Sequence, residues 1–163
     1  MEPLTESEIR SSFVNCSKGE AKRLNLPDLR DLDWENLDFL GWVDPKAPLQ
    51  AILVTGTPTG PVGVQLRRNT SGAGPRRAKM CSLCLTTHPG QGVSLMVARR
   101  AGQPGRDGNT VGLDICADLE CSLYTRGLRP LPTMSAAHET LSVEDRIARL
   151  ELNLRAFLER VRR

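Results

Sequence analysis

The sequence predicts an α+β fold: an antiparallel sheet that carries a cysteine-rich metal site, a helix near the N-terminus and a long helix at the C-terminus. Three patterns indicate this class. Short apolar runs alternate with Gly- and Pro-rich turns, four cysteines occur in two close pairs, and apolar residues near the C-terminus recur every three to four positions. With 163 residues, the chain is long enough to bury one core. We therefore expect a single domain over residues 1–163.

The first helix is predicted over residues 6–16. Thr5 and Glu8 have the spacing of a capping box, in which a hydroxyl and a carboxylate three residues apart bond each other's backbone amides. The Lys-Gly pair at residues 18–19 favours the end of this helix. The acidic, turn-rich residues 27–38 predict a wrapping loop with a short helical turn.

Five strands are predicted in the middle of the chain. The second and third flank a Gly-Thr-Pro-Thr-Gly-Pro segment, which is a hairpin signature. The glycines at positions 56, 60 and 63 match neither of the common phosphate-binding patterns, so we assign them to turn geometry. The fourth and fifth strands form a second hairpin, and a loop of small residues is expected at 69–75. The predicted strands cover residues 38–44, 50–55, 62–67, 92–99 and 110–116.

The four paired cysteines predict a structural zinc site. Cys81 and Cys84 form a Cys-x-x-Cys pair, and Cys116 and Cys121 follow after 31 intervening residues. Zinc takes four such ligands in a tetrahedron, and the second hairpin would bring the two pairs together. We expect Cys116 at the end of a strand and Cys121 in the first turn of the helix that follows. A knuckle, a hairpin and a helix in this order predict a treble-clef zinc finger over about residues 79–128, holding one structural Zn²⁺.

Other interpretations of these residues stay open. Two disulfides would require an oxidising compartment, and a redox Cys-x-x-Cys would not need the second pair. His88, four residues after Cys84, could replace a thiolate, although such a histidine is more often a surface residue or a residue beside the ligands. Cys16 has no partner in the sequence pattern, and we expect it to be a small buried residue.

The longest helix is predicted over about residues 142–162, with Ser142 as its N-cap. Its apolar residues are spaced by four and three and form one unbroken seam. Either this seam packs on the sheet of the same chain or it docks a partner; three heptads are too few for a sustained coiled coil. The seam consists of Val143, Ile147, Leu150, Leu154, Phe157 and Val161.

Charge is distributed unevenly along the chain. Residues 1–63 hold 6 basic and 10 acidic residues, whereas residues 64–163 hold 16 basic and 9 acidic ones. The second part, which contains the cysteine pairs, is therefore suited to an acidic protein or to RNA, and a solvated face without a partner is the alternative. No stretch approaches the roughly 18 apolar residues of a membrane span, and residues 1–20 contain no apolar signal segment. We expect a soluble, cytoplasmic monomer that does not bind membranes.

Four segments resemble a known family. They are SFVNCSKGEAK (residues 12–22), CSLCLT (81–86), CADLECSLY (116–124) followed by Arg126-Gly127, and HETLSVE (138–144), and they occur together in this order. They resemble the short FBP-domain proteins, whose domain is similar to the C-terminal treble-clef half of the FusB-type proteins that bind elongation factor G. The resemblance covers nearly the whole chain. It implies a structural zinc held by Cys81, Cys84, Cys116 and Cys121.

The resemblance also implies a partner. FusB-type proteins bind elongation factor G through the zinc-bearing domain and help free it from ribosomes stalled by fusidic acid. In the longer proteins a helical bundle precedes that domain, and this sequence shows none, so factor binding is the function we expect most directly. The alternative is a ribosome- or RNA-associated zinc finger that binds nucleic acid through its basic half.

We expect the short zinc helix, within residues 117–127, to display the partner-binding residues. Tyr124 and Arg126 are the central candidates, because an aromatic beside an arginine is typical of a binding hot spot. Lys79, Arg99 and Arg100 would form a basic rim. The alternative is that Tyr124 packs on the sheet and Arg126 is solvated. No enzymatic activity is expected, because four thiolates leave zinc no open position for water and neither His88 nor His138 lies in a nucleophile motif.

Overall fold

Five strands form one antiparallel sheet, in which the first, second, third, sixth and seventh strands of the chain lie side by side in that order, and the short fourth and fifth strands form a separate hairpin. These elements come from a computed structural model, which describes residues 1–69, 77–130 and 139–163. The strands are β1 (Leu40–Val43), β2 (Gln50–Thr55), β3 (Val62–Arg68), β4 (Lys79–Met80), β5 (Thr87–His88), β6 (Val93–Arg99) and β7 (Thr110–Cys116). The helices are α1 (Glu6–Ser11), α2 (Lys18–Arg23), α3 (Gly102–Arg106), α4 (Cys121–Arg126) and α5 (Val143–Arg162), with a 3-10 turn at Trp34–Asn36.

Strand β2 lies inside the sheet and is buried on both faces. Ala51 and Leu53 pack into one cluster of apolar side chains, whereas Ile52 and Val54 pack into another. Alternate residues of a strand point to opposite faces, so each cluster covers one face of the sheet. This double burial explains why the strand is a continuous apolar run in the sequence.

The first cluster joins the sheet to α5 and to the cysteines. Leu150, Leu154, Phe157 and Val161 of the predicted seam are buried there, and Val143 and Ile147 at its N-terminal end are half-buried. The helix begins at its predicted cap, where the Ser142 hydroxyl accepts a hydrogen bond from the Asp145 amide. The seam therefore packs on the sheet of its own chain, which is one of the two alternatives given above.

The second cluster joins the other face of the sheet to residues 1–37, which we call the N-terminal layer. Ile9 and Leu24 are buried against Trp42 and Ile52. Two capping boxes begin the helices of this layer, one between Thr5 and Glu8 and one between Ser17 and Glu20. The predicted loop over residues 27–38 is present and contains the short 3-10 turn.

The prediction of a first helix over residues 6–16 is wrong at its end. Helix α1 stops at Ser11, because the next residues pair with β3: the Val14 amide donates to the Gly63 carbonyl, and the Gly63 amide donates to Ser12. The Lys-Gly pair at residues 18–19 does not end a helix either, because Ser17 caps the start of α2 at this point. Gly63 is not a turn residue. A Cβ there would lie 2.5 Å from the Ser12 hydroxyl, so this glycine allows the two segments to approach closely.

The predicted strands agree with the structure to within two residues at each end. The loop predicted between the last two strands of the sheet contains the short helix α3, which the sequence analysis missed. Helix α4 begins at Cys121 and not at residue 117. Residues 70–75 of the predicted loop and His138 lie outside the described residues. Among the helices that the structure describes, none is long and apolar enough to cross a membrane.

Candidate metal centre

The first cysteine pair lies in the turn between β4 and β5. The Cys81 amide donates to the Thr86 carbonyl at 2.9 Å, and the Leu85 amide donates to the Cys81 carbonyl at 3.0 Å. Leu85 has a φ of 61°, which lets the chain turn sharply enough to aim both thiols at one point. The Ser82 amide donates to the Asp114 carbonyl at 2.7 Å, so this knuckle is attached to the edge of β7.

The second pair lies where β7 meets α4. Cys116 is the last residue of the strand and Cys121 the first residue of the helix. Leu119, between them, has a φ of 63°, and its amide donates to the Cys116 carbonyl at 3.0 Å. This tight connection brings the strand end and the helix start together, as the spacing of the pair predicts.

The four thiols form one cluster. Their Sγ atoms all lie within 4.8 Å of one another, and the Cys81–Cys121 and Cys84–Cys116 pairs are each 3.6 Å apart. A tetrahedral zinc ion with Zn–S bonds of about 2.3 Å has sulfurs about 3.8 Å apart. All four residues are buried, and the donors are soft sulfurs, which favour zinc over calcium or magnesium. The cluster therefore fits one zinc ion.

The thiols of this cluster do not ionise alike. Burial raises the pKa of Cys121 well above its ordinary value, whereas hydrogen bonding with Cys116 lowers the pKa of Cys84. Zinc binds thiolates, so its binding would compensate the cost of burying negative charge here and would release protons.

His88 lies beside the cluster. Its Nε2 atom is 3.4 Å from the Cys116 Sγ, and the side chain is buried. The ring also contacts the edge of Tyr124, with centroids 4.8 Å apart at an angle of 77°. A Cβ on Gly92 would lie 2.5 Å from the His88 Cβ, so a glycine leaves room for this ring. Four thiols already meet at one point, so His88 is not needed as a metal ligand. It lies instead where it can hydrogen-bond one of the ligands, Cys116.

Tyr124 and Arg126 both have partners within the chain. The Tyr124 hydroxyl donates to Asp118 at 2.8 Å, and burial together with this bond raises the pKa of the tyrosine. Arg126 donates to both carboxylate oxygens of Asp38, at 2.6 and 2.8 Å, and its side chain is 14% exposed. The guanidinium is therefore not simply solvated: it fastens α4 to the segment that leads into β1.

The three residues of the predicted basic rim lie on strands or just beyond them, and Lys79 is paired in the β4–β5 hairpin with His88, whose ring contacts Tyr124. Lys79 pairs with Asp114 of β7 at 3.2 Å. Arg99 is exposed at the end of β6, and the Arg100 amide donates to Asn109. Arg99 lines a groove over the sheet, whereas Arg126 lines a different groove beside α5. The structure thus does not bring the five predicted partner-binding residues onto one surface.

Two residues of α5 support the knuckle and were missed by the sequence analysis. Asn153 donates to the Leu83 carbonyl at 2.9 Å, and Arg149 donates to the Cys84 carbonyl at 3.2 Å. Arg149 is held in turn by Glu139 at 2.7 Å. These contacts join residues about seventy positions apart, so no local signal could have revealed them.

Cys16 stands apart from the cluster. It is half-buried, and burial, with a smaller contribution from Glu20, raises its pKa to about 11. A thiol with this pKa stays protonated at neutral pH and is a weak nucleophile.

A knuckle and a strand–helix junction that together present four buried thiols define a treble-clef zinc-finger protein. The chain belongs to the family described as FBP C-terminal treble-clef zinc-finger, whose model matches residues 8–161. This match confirms the resemblance noted from the sequence. No curated protein and no solved structure shows significant similarity to the chain.

Proposed function

We propose that this protein binds translation elongation factor G through the exposed end of α4 and modulates the release of the factor from the ribosome. Membership of the family over residues 8–161 supports a protein partner. The resemblance to the FusB-type proteins indicates which partner this is. The observation that carries the proposal is an exposed apolar and basic surface at the end of the zinc-anchored helix.

This surface lies where α4 ends. Gly127, with a φ of 72°, closes the helix, and the Leu128 amide donates to the Leu123 carbonyl at 2.9 Å. Such a helix end usually buries the residue after the glycine, yet Leu128 is 55% exposed. Tyr124 is half-buried beside it, with its ring packed against the first cluster, and the Arg129 side chain is 50% exposed and paired with Glu120. An aromatic, an aliphatic and an arginine presented by a rigid element can bind a partner at little entropic cost.

Arg126 can contribute to binding in two ways, by contacting the partner and by orienting α4. A partner that contacts it would have to use a guanidinium already bonded to Asp38, so the direct contact stays a prediction. Its pair with Asp38 also orients α4, and with it Tyr124. Comparing Arg126→Ala with Asp38→Asn separates the two roles. If Arg126 contacts the partner directly, Arg126→Ala should weaken binding more than Asp38→Asn does.

We propose binding as the whole activity of the zinc domain. Four thiolates complete the tetrahedron around zinc and leave no position for a water or a substrate. The metal would then act by shaping the surface, because Cys121 begins the helix that carries Tyr124.

The test is a calorimetric titration of elongation factor G from the source organism with the zinc-loaded protein. We expect a saturable 1:1 complex. Tyr124→Ala should weaken it by roughly 2 kcal/mol, or about thirtyfold, with the zinc retained. Tyr124→Phe keeps the ring against His88 and loses only the bond to Asp118, so its loss should be smaller. Leu152→Ala, which removes a side chain that is 65% exposed and lies outside both grooves, should leave the affinity unchanged.

Two results would contradict the proposal. One is no complex with the free factor although zinc content and folding are intact. The other is tight binding to ribosomal RNA that falls steeply with salt and survives Tyr124→Ala, which would favour a nucleic-acid-binding zinc finger.

A further inference from the structure

Part of the second face of the sheet is not covered by the N-terminal layer. That layer packs on β1, β2 and the first half of β3, whereas Leu95 and Val97 of β6 and Gly112 of β7 lie beyond it on the same face. Leu95 is 37% exposed. An aliphatic sheet face that remains accessible is a common feature of interaction surfaces.

A fork between two strands opens this face into a groove. Only residues 66–68 of β3 pair with β6, because the first half of β3 pairs with the segment that follows α1. The Asn15 side chain fills the fork: it donates to the carbonyls of Gln65 and Arg99 and accepts from the Gln65 amide. The resulting groove has a volume of about 870 Å³ and a floor held by hydrogen bonds.

The groove is cationic. Arg67, Arg68 and Arg99 line it, and Glu20 is the only acidic residue that does so among the described residues. Arg67 and Arg99 are exposed. Glu20 is tied to Ser17 by the capping box of α2, and its hydrogen bond with the Ser17 amide lowers its pKa. The carboxylate therefore remains engaged at the N-terminus of α2, and the groove carries a net positive charge.

One side of the groove and part of its floor are aliphatic. Pro48 and Leu49 form one side, and Leu49 is 46% exposed, while Val97 lies on the floor opposite Arg67. From β3 to β7 the groove crosses three neighbouring strands, a width of about 10 Å. This is enough for one extended peptide with its side chains.

We propose that this groove binds an extended segment of a partner protein in which acidic residues alternate with aliphatic ones. Carboxylates would pair with Arg67 and Arg99, and aliphatic side chains would pack on Leu49 and Val97. A single-stranded nucleic acid is disfavoured, because none of the described residues that line the groove is aromatic and bases bind such surfaces by stacking. The groove and the end of α4 are separate surfaces, so this inference goes beyond the proposed function.

The experiment uses a fluorescein-labelled peptide of about ten residues with alternating Glu and Leu, titrated with the zinc-loaded full chain. Fluorescence anisotropy should show saturable binding that weakens as salt rises, and a peptide with Lys in place of Glu should not bind. Arg67→Glu and Arg99→Glu should each weaken binding roughly tenfold. Both side chains are exposed, so these variants should melt like the parent.

Two further variants make the test specific. Arg155→Glu makes the same change of charge in the other groove and should leave the affinity unchanged. Glu20→Gln keeps a capping-box residue but removes a carboxylate from the groove, so it should tighten binding roughly twofold. A purely structural role of this glutamate predicts no gain.

Equal losses in all three arginine variants would show non-specific attraction and overturn the proposal. An oligoribonucleotide of equal charge that binds more tightly than the peptide would overturn it in favour of nucleic acid. The peptide assay contains no elongation factor G. A negative result for the groove can therefore be distinguished from a negative result for factor binding.

Discussion

The two faces of the sheet are stabilised by different kinds of contact. On one face, α5 and the cysteine cluster join residues that are 32 and 40 positions apart through their sulfur atoms. On the other, the N-terminal layer depends on apolar burial and on capping boxes whose partners are 3 positions apart. The first arrangement requires a metal to hold distant thiolates together, whereas the second requires only local backbone signals and a hydrophobic surface.

The two faces of the sheet therefore contribute differently to the molecule. The face that carries the cysteine cluster, which we call the zinc side, presents α4. The geometry of α4 therefore depends on a metal and on helix packing. The N-terminal layer contributes stability and one wall of the cationic groove. The two sides are linked by Asp38 and Arg126, which join the segment before β1 to α4.

The largest expected effect is on the zinc side. Leu150 is 0% exposed in the α5 seam, so Leu150→Asp would bury an unpaired carboxylate. We expect a loss of at least roughly 3 kcal/mol in the free energy of unfolding, measured with urea. Leu152→Asp, at a position 65% exposed on the same helix, is the control and should unfold like the parent. A Leu150→Asp protein as stable as the parent would show that the seam does not pack on the sheet.

Next in size is the link between the two sides. The Asp38 side chain is 4% exposed, so Asp38→Asn leaves a largely buried guanidinium without its counter-charge. We expect a loss of roughly 2 kcal/mol, less than for a fully buried pair because Arg126 keeps some contact with water. Asp28→Asn breaks an exposed pair with Arg30 and should change little. Equal effects of the two substitutions would mean that the link is no stronger than a surface ion pair.

His88→Ala should weaken zinc binding while leaving the stoichiometry at one ion. Groups that donate to a metal ligand typically contribute a factor of about 10–100 to metal affinity, and His88 lies 3.4 Å from the Cys116 sulfur. Competition with a chelator of known affinity measures this factor. His88→Gln retains a donor and should recover part of the loss. If both variants bind zinc like the parent, the histidine only fills space beside Tyr124.

The smallest effect concerns a cap in the N-terminal layer. Ser17→Ala should cost about 1 kcal/mol and leave zinc content unchanged. Because the bonds with Ser17 lower the pKa of Glu20 in the folded protein, their contribution is present above the unfolded value near 4.3 and is lost as pH falls through the lower folded value. Alanine keeps the backbone amide at position 17 and removes only the hydroxyl, so the difference in stability between parent and variant, followed from pH 7 downwards, should shrink in part below about pH 4. A difference that grows in acid would contradict this account.

Local signals predicted most of the strands. Strand β2 has the predicted bounds and β3 is one residue longer, because Gly- and Pro-rich turns mark both ends of this hairpin. The meeting of the two cysteine pairs was also predictable, since the β6–β7 hairpin places Val93 opposite Cys116. Both depend on neighbours in the sequence or on a single hairpin.

The remaining features depend on distant contacts or on competing signals. Helix α1 has a good cap, but its C-terminal end is decided by pairing with Gly63, some fifty residues away, and this pairing leaves no periodic pattern. Helix α2 was missed because its Lys-Gly start resembles a helix end, although the Ser17 and Glu20 capping box was visible. The bond from Arg149 to Cys84 and the Asp38–Arg126 pair arise only after the sheet and α5 have packed.

The most direct test of the account is the zinc content of the protein purified without chelator, measured by elemental analysis together with that of two cysteine variants. We expect one zinc per chain in the parent, close to none in Cys84→Ser, and one again in Cys16→Ser, whose thiol lies outside the cluster. A parent protein without zinc, or a Cys84→Ser protein that retains a full equivalent of zinc, would contradict the claim that these four thiols hold a single structural ion.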